Sequence, residues 1–223
     1  KRLIDAALEA GCQAVKFQKR TVSFVYAKEE LERPREVPAS IIALALKRNV
    51  LPPQSVQRLK DSELQNTTNG DLKWVLEFTR DEYREINAYC KQKGILWFAS
   101  PWDEASVDFL EEFDPPCYKI ASPSLTDAGL LKHVQAKGRP VILSTGMSTI
   151  SQIEKAVSIL GEKDLILLHC VSTYPSEHEE INLSVMHTLQ QKFPGVVIGY
   201  SGHERGLQIS FAAGALGALL IER

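Results

Sequence analysis

Seven apolar runs, each ending in a polar or reactive cluster, follow one another along this chain of 223 residues. The runs are the segments 14–19, 95–100, 117–122, 141–146, 165–170, 196–203 and 218–223. Buried parallel strands have near-continuous apolar sequences, and from the second run onward the run ends lie roughly 20–30 residues apart, which suits a βα unit. Segments with helical apolar spacing, such as 80–94 and 103–113, lie between the runs. The pattern therefore predicts a parallel α/β fold.

We expect this fold to be an incomplete (β/α)8 barrel, or TIM barrel, that forms one partial catalytic domain over residues 1–223. The sequence begins at Lys1 in a helical pattern and ends at Arg223 in a strand pattern. The first strand and the last helix of the barrel are therefore expected outside it. A doubly wound open sheet is the alternative, and the lack of a G-x-G-x-x-G motif after any strand weakens it.

One segment, at about residues 27–73, interrupts the alternation of strands and helices. It contains four prolines and a polar run, and a single short helix is predicted at 41–49. The prolines are Pro34, Pro38, Pro52 and Pro53, and the polar run is 65–71. A loop this long in a compact domain is typically a lid, a partner surface or a disordered segment, and a tolerated insertion is the alternative. We interpret the segment as an insertion or lid.

Charge and apolar content exclude several classes of partner. The formal net charge of −2 gives no bulk attraction to nucleic acid or to an acidic membrane surface. No apolar stretch reaches the roughly 18 residues of a transmembrane helix. Four cysteines without any C-x-x-C spacing are typical of reduced thiols in a cytosolic enzyme. We therefore expect a cytoplasmic protein with neither a nucleic-acid nor a membrane partner.

The run ends supply candidate catalytic side chains, because chemistry in a barrel lies at the carboxyl ends of the strands. These side chains are Lys16, Ser100, Lys119, Ser122, Ser144, His169, Ser201, His203 and Glu222. A buried ammonium group is costly unless it is paired, so Lys16 and Lys119 together favour a phosphate or carboxylate ligand. Either lysine alone is equally consistent with a surface salt bridge, and a Schiff base is a third use.

Hydroxyl groups at several strand ends suit a tetrahedral oxyanion, and Gly146 would let backbone N–H groups approach it. Each serine taken alone is more simply a turn or a helix cap. We expect that simpler role for Ser148 and Thr149, which precede a helical segment.

Two of the histidines have contrasting surroundings. His203 lies between glycines just past a strand, where a ligand can approach, and Glu222 is its candidate neighbour in a metal site. His169 lies among apolar residues and is interpreted as a hydrogen-bonded core histidine. Neither a Ser-His-Asp spacing nor an H-E-x-x-H motif is present.

The sequences at these strand ends resemble those of the N-acetylneuraminate (sialic acid) synthase family. The similar segments are AVKFQK, WFASPWDEASVDFLE, YKIASPSLTD, PVILSTGMST, LLHCVSTYP, IGYSGHE and LGALLIER. They follow the family's order along nearly the whole chain, apart from roughly residues 38–71. The resemblance implies a TIM barrel followed by a small antifreeze-like domain beyond Arg223. It also implies a homodimer in which that domain reaches the partner's site.

The resemblance further implies a reaction and a site. The family condenses phosphoenolpyruvate with an N-acylated aldohexose, such as N-acetylmannosamine, and forms phosphate and a nine-carbon 2-keto sugar acid, such as N-acetylneuraminate. The residues implied to hold phosphoenolpyruvate are Lys16, Ser100, Lys119, Ser122, Ser144, Ser172 and Ser201. Tyr174 and Glu222 would face the sugar, so Lys119, Tyr174 and Glu222 are the implied catalytic residues. His203 would bind the divalent metal, Mn²⁺ or Mg²⁺, together with a histidine directly after Arg223.

Three alternatives stay open. Synthases of legionaminic, pseudaminic or spore-coat sugars share these motifs, so the sugar is not fixed. A Schiff-base aldolase that uses Lys119 or Lys16 is the second alternative. A non-catalytic barrel is the third, and the clustering of lysines, hydroxyls and His203 at strand ends argues against it. Because parts of the family's site lie outside residues 1–223, we expect this fragment alone to be inactive and marginally stable.

Overall fold

The computed structural model describes residues 1–223. The chain forms two compact units, Lys1–Trp97 and Phe98–Arg223, called here the first and the second unit. None of the helices combines the length and the apolar character needed to cross a membrane.

The first unit is mainly helical. Its elements are α1 (Arg2–Glu9), β1 (Ala14–Lys19), α2 (Val22–Val25), α3 (Lys28–Glu32), α4 (Ala39–Arg48), α5 (Pro53–Asp61), α6 (Asn69–Leu76), α7 (Arg80–Lys93) and the start of β2 (Leu96–Pro101). β1 and β2 form a two-stranded sheet. β1 has the predicted bounds, and α7 ends at Gly94 with φ +70°, a conformation that glycine adopts without strain.

The segment 27–73 consists mainly of short helices and is not the irregular loop that its prolines suggest. Pro38 and Pro52 are the N-cap residues of α4 and α5, and Pro53 is the first residue of α5, where no backbone N–H is required. The helices share a small core formed by Val37, Ile42, Ala45, Leu51, Leu59 and Val75. The long-loop interpretation is therefore wrong in this respect, and the predicted helix at 41–49 is confirmed as α4. Its role as an insertion or lid stays a prediction.

The second unit alternates strands with helices, as the sequence predicts. After β2 it contains α8 (Glu104–Glu111), β3 (Tyr118–Ile120), α9 (Ala128–Gln135), β4 (Val141–Ser144), α10 (Ile150–Leu160), β5 (Leu165–Cys170), α11 (Ser184–Lys192), β6 (Val197–Ser201), α12 (Gln208–Ala215) and β7 (Ile221–Glu222). The strands form one sheet in the order β3-β4-β5-β6-β7, and every neighbouring pair is parallel. The prediction of a parallel α/β fold is confirmed.

This five-stranded sheet is strongly curved. β3 and β7 lie at its two edges, and in a flat sheet they would be about 19 Å apart. However, Lys119 Nζ on β3 lies 2.8 Å from Glu222 Oε2 on β7. These two side chains cannot bridge the distance across a flat sheet, so the strands must bend around a concave face. The second unit is therefore a parallel half-barrel, and the incomplete eight-stranded barrel stays a prediction.

Candidate active site

The concave face of the half-barrel carries polar side chains at its carboxyl end. The Lys119–Glu222 contact fixes which residues point inward, because register partners share a face and successive residues alternate between faces. Glu222 is the register partner of Ser201, and Ser201 is the partner of Cys170. Lys119 pairs with Ile142, so Ser144, two residues further along β4, also faces inward.

The buried Lys119 forms an ion pair with a predicted site residue. Its ammonium group contacts Glu222 at 2.8 Å, and only 4% of the lysine side chain and 17% of the glutamate side chain are exposed. Pairing makes the burial of this charge tolerable. The sequence predicts both residues separately, whereas their contact across the half-barrel depends on the curvature of the sheet.

Two predicted hydroxyls are buried without a hydrogen-bond partner. These are Ser100 Oγ on β2 and Ser144 Oγ on β4. A buried hydroxyl that makes no hydrogen bond costs free energy, and native proteins contain few of them. Acceptor oxygens of a ligand would satisfy such hydroxyls, so their burial without a partner favours an anion-binding role over a role as caps.

The loop after β4 gathers further predicted residues around Gly146. Its backbone N–H donates to Ser122 Oγ at 3.0 Å. A Cβ atom at this position would collide with the Ser172 hydroxyl and would lie 2.8 Å from Ser122 Oγ. Position 146 therefore has no room for a side chain, and the structure brings Ser122 and Ser172 together there. Thr149 caps α10 through the Gln152 N–H, which confirms its predicted role.

His203 is half-buried just after β6 and lies beside predicted Tyr174. The two ring centroids are 4.0 Å apart. His203 Nδ1 lies 2.7 Å from the Val171 carbonyl oxygen, and because a carbonyl only accepts, Nδ1 carries the proton that it donates. The lone pair of Nε2 then remains for a ligand, which is the arrangement that metal-binding histidines use.

Cys170 is a site residue that the sequence reasoning did not single out. Its Sγ lies 3.7 Å from Ser122 Oγ and 3.9 Å from His203 Nδ1. Burial raises the pKa of the Cys170 thiol, but the contacts with His203 and Ser122 outweigh burial, and the pKa is lowered overall. The contact with Cys170 is also the main cause that raises the pKa of His203, against the effect of burial. The signal in the sequence was its position as the last residue of an apolar run.

His169 has the structural role that its surroundings predict. It is the register partner of Tyr200 and lies on the opposite face from Cys170, because adjacent strand residues alternate. Its Nε2 lies 2.6 Å from the Ile181 carbonyl oxygen, and burial lowers the pKa of its imidazole. The prediction of a hydrogen-bonded core histidine is confirmed. Lys16 lies half-buried on β1 in the first unit, and its role stays a prediction.

The chain fits a divalent metal only in part. No group of three His, Cys, Asp or Glu side chains within residues 1–223 is arranged to hold an ion. His203 fits as a single ligand through Nε2, for the reason given above. All four cysteines are free thiols, of which Cys90 and Cys170 are buried.

Known proteins similar to this chain include several synthases. The human N-acetylneuraminate-9-phosphate synthase is 35% identical over all of this chain and 56% of its own length. The N,N'-diacetyllegionaminic acid synthase of Campylobacter jejuni is 35% identical over all of this chain and 61% of its own length. This chain thus spans a little over half of the length of these two relatives.

Solved structures agree with this likeness. The N-acetylneuraminic acid synthetase of Leptospira borgpetersenii, crystallised with citrate, is 31% identical and superposes with a TM-score of 0.76 over all of this chain and 65% of that one. A 3-deoxy-D-arabino-heptulosonate 7-phosphate synthase of Thermotoga maritima shares the fold, with a TM-score of 0.57 at 15% identity. Residues 3–223 match the NeuB family, and the chain therefore belongs to that family.

Proposed function

We propose that the protein containing this chain condenses phosphoenolpyruvate with an N-acylated aldohexose and forms a nine-carbon 2-keto sugar acid and phosphate. The observation that carries the proposal is the polar lining of the concave face. Branched apolar side chains fill the interior of most barrels. Here the inward positions near the strand ends are instead occupied by Lys119, Ser144, Ser201 and Glu222. Membership of a family that contains sialic and legionaminic acid synthases supports it.

The anionic substrate would bind at the carboxyl ends of the strands. The Lys119 ammonium offers positive charge to a phosphate or carboxylate group, and the unpartnered hydroxyls of Ser100 and Ser144 offer donors. The remaining proposed contacts come from Lys16, Ser122, Ser172 and Ser201. Donors that are fixed before the substrate arrives stabilise developing charge without reorganisation.

The chain's own groups can serve each step of the reaction. C3 of the enol attacks the aldehyde carbon of the open-chain sugar and forms the new C–C bond. Water then adds at C2, and the C2–O bond to phosphate breaks as the ketone forms. One proton of that water goes to the former aldehyde oxygen and the other leaves with phosphate. We propose that the Glu222 carboxylate, which lies 2.8 Å from Lys119 Nζ, relays these protons and that Tyr174 orients the sugar from the rim.

A divalent cation, Mn²⁺ or Mg²⁺, belongs to the proposal. His203 Nε2 would be one ligand, and a histidine after Arg223 would be another. When bound, the ion supplies Lewis-acid polarisation of the aldehyde oxygen. His203 keeps its ligand nitrogen aimed because Nδ1 is fixed on the Val171 carbonyl oxygen.

Several features of the whole protein are part of the same proposal. They are a cytoplasmic location, a homodimer, an antifreeze-like domain beyond Arg223, a lid or insertion role for residues 27–73, and inactivity of residues 1–223 alone. N-acetylmannosamine is the proposed sugar, and the sugars of related nonulosonate synthases are the alternatives.

The direct test incubates the full-length protein with phosphoenolpyruvate, Mn²⁺ and either N-acetylmannosamine or its 6-phosphate, with and without EDTA. Metal-dependent release of phosphate, matched by 2-keto acid formation, is expected. Release with another N-acyl aldohexose alone would keep the reaction and change the sugar. Failure with every sugar would overturn the proposal, and borohydride trapping of a keto substrate on Lys119 would then indicate an aldolase.

A matched pair of lysine variants links activity to the site. Lys119→Ala is expected to lower kcat/KM roughly 100-fold or more, which is the usual effect of removing one preorganised charge-stabilising group. Lys155→Ala is the control, because Lys155 is exposed on α10. Equal activity of the two variants would remove Lys119 from the mechanism.

A further inference from the structure

A carboxylate with no exposed surface, Glu204, lies in the loop between β6 and α12. It accepts a hydrogen bond from the Tyr200 hydroxyl at 2.7 Å. The guanidinium group of Arg223 forms an ion pair with the same carboxylate. These three residues are called here the carboxyl-end triad, because they lie where β6 and β7 end.

Arg223 connects this loop to the end of β7 and to α12. Its Nη2 donates to the backbone oxygens of Glu204 at 2.9 Å and Gly206 at 2.7 Å. Its Nη1 donates to Ser210 Oγ on α12 at 3.2 Å. A single planar guanidinium with several fixed donors therefore holds three chain segments together.

Each member of the carboxyl-end triad is the sequence neighbour of a candidate site residue. Tyr200 precedes Ser201, Glu204 follows His203, and Arg223 follows Glu222. Because adjacent strand residues point to opposite faces, Arg223 and Tyr200 lie behind the sheet while Glu222 and Ser201 face the concave side. The triad thus lies behind the site and cannot contact a substrate bound on the concave face.

A side chain at position 202 would require the ends of the Glu204 and Arg223 side chains to shift. A Cβ atom on Gly202 would lie 2.8 Å from Glu204 Oε2 and 2.9 Å from Arg223 Nη1. Gly202 N also donates to the Glu222 carbonyl oxygen at 3.0 Å. The loop that carries His203 is therefore fastened to the strand that carries Glu222.

We propose that Glu204 and Arg223 are positioning residues that fix His203 relative to Glu222 by fastening the β6–α12 loop to the end of β7. This inference rests on the proposed function, which gives His203 and Glu222 their roles. A rigid supporting network is what keeps a metal-ligating histidine and a reacting carboxylate in a productive geometry.

The chain offers a matched control with the same three residue types. Arg139 donates from Nε and Nη2 to the two carboxylate oxygens of Glu111 at 2.7 and 2.9 Å. The Tyr118 hydroxyl donates to the same carboxylate at 2.5 Å. These residues are called here the amino-end triad: Glu111 ends α8, Tyr118 begins β3, and Arg139 lies two residues before β4, away from the polar lining.

The test compares Glu204→Gln with Glu111→Gln in the full-length protein. Hydrogen exchange of peptides covering residues 200–206, the Kd for Mn²⁺ from a paramagnetic resonance titration, and kcat are measured for both. Glu204→Gln should accelerate exchange in residues 200–206, raise the Mn²⁺ Kd about tenfold or more and lower kcat similarly. Glu111→Gln should leave these three quantities within about twofold, as expected for a site of purely structural support.

A Glu204→Gln protein that keeps the Mn²⁺ Kd and kcat of the wild type would overturn the inference, even with faster exchange. If Glu204→Gln does not fold, the same measurements are made on Arg223→Lys. Lysine keeps the positive charge but lacks the planar set of donors of the guanidinium group. If wild-type protein releases no phosphate from phosphoenolpyruvate, the proposed function fails. Exchange and Mn²⁺ binding then still decide the positioning role.

Discussion

The carboxyl-end and amino-end triads of the second unit contain the same three residue types and differ in what they hold. In each one, a tyrosine hydroxyl and an arginine guanidinium converge on a single glutamate. The carboxyl-end triad fastens a loop that follows β6 to the end of β7. The amino-end triad fastens Glu111 at the end of α8 to the start of β3 and to Arg139, two residues before β4.

The burial of the glutamate separates the two triads most clearly, whereas the arginine side chains are similarly exposed, 33% for Arg223 and 24% for Arg139. The Glu204 side chain has no exposed surface, whereas 30% of the Glu111 side chain is exposed. Arg139 also contacts the exposed Asp114 and donates to the Pro115 carbonyl oxygen, while Arg223 donates to two backbone oxygens of the loop and to Ser210 Oγ. The same chemical arrangement therefore stabilises a chain connection at one end of the sheet and, in our proposal, positions a site at the other.

The largest expected difference between the triads comes from removing the arginines. Arg223→Met leaves the buried Glu204 carboxylate without its counter-charge, and breaking a buried pair in this way costs roughly 3–5 kcal/mol of unfolding free energy. Arg139→Met should cost about 1 kcal/mol, because water can solvate Glu111. Denaturant unfolding of the full-length variants measures both values. Equal losses would mean that burial does not distinguish the triads.

Removing the tyrosine hydroxyls should have the next largest effect. Tyr200→Phe deletes a hydrogen bond to a buried charged group, which is worth roughly 1.5–3 kcal/mol. Tyr118→Phe should cost about 1 kcal/mol, since Glu111 keeps Arg139 and gains water. We also expect kcat to fall in Tyr200→Phe alone. A fall of kcat in Tyr118→Phe, measured where both variants are folded, would contradict the assignment of roles.

A pair of glycine substitutions probes the backbone beside each triad. Gly202→Ala places a methyl group against Glu204 and Arg223, and overpacking of this kind costs roughly 1–3 kcal/mol. In Gly138→Ala, next to Arg139, the new methyl group meets no atom within 4 Å. The only expected cost is that of an alanine at a φ of +67°, about 1 kcal/mol of unfolding free energy. Thermal unfolding and kcat of both variants provide the measurement. Normal activity in Gly202→Ala would show that the loop tolerates displacement.

Most of the fold can be predicted from the sequence, because its signals are local and repeated. Each apolar run corresponds to a strand, and the bounds of β1 and β5 match the predicted segments. The prediction of a long loop at residues 27–73 is wrong for an identifiable reason. A proline ends a helix when it lies inside one, but Pro38, Pro52 and Pro53 lie at helix starts, and the sequence alone does not tell the two positions apart.

The candidate site can be predicted residue by residue but not as a set of contacts. Position at a run end is enough to select Lys119 and Glu222, yet their ion pair requires β3 and β7 to approach each other around the curved sheet. From its sequence neighbours, Glu204 would be predicted to be an exposed charged residue in a loop. Its burial arises from Arg223, which is distant in sequence, and no local pattern reports such a pairing.

The smallest expected difference between the triads lies in the dependence of stability on pH. Burial raises the pKa of Glu204, but the Tyr200 hydrogen bond and the Arg223 charge outweigh it and lower the pKa overall. The hydrogen bond from Arg139 is the main cause that lowers the pKa of Glu111. A carboxyl group whose pKa is lower in the folded state stabilises the protein above its unfolded value, near 4.3. That contribution is lost as the pH falls through the folded value.

Both Glu204→Gln and Glu111→Gln should therefore lose less stability than the wild type when the pH falls from about 5 to 3. Salt distinguishes the two variants, because screening weakens exposed pairs more than buried ones. Adding about 1 M NaCl should reduce the difference between Glu111→Gln and the wild type more than it reduces the difference for Glu204→Gln. Unfolding midpoints measured across this pH range at low and high salt give the comparison. A salt-sensitive Glu204 contribution would mean that water reaches the Glu204 carboxylate, and burial would then not distinguish the two glutamates.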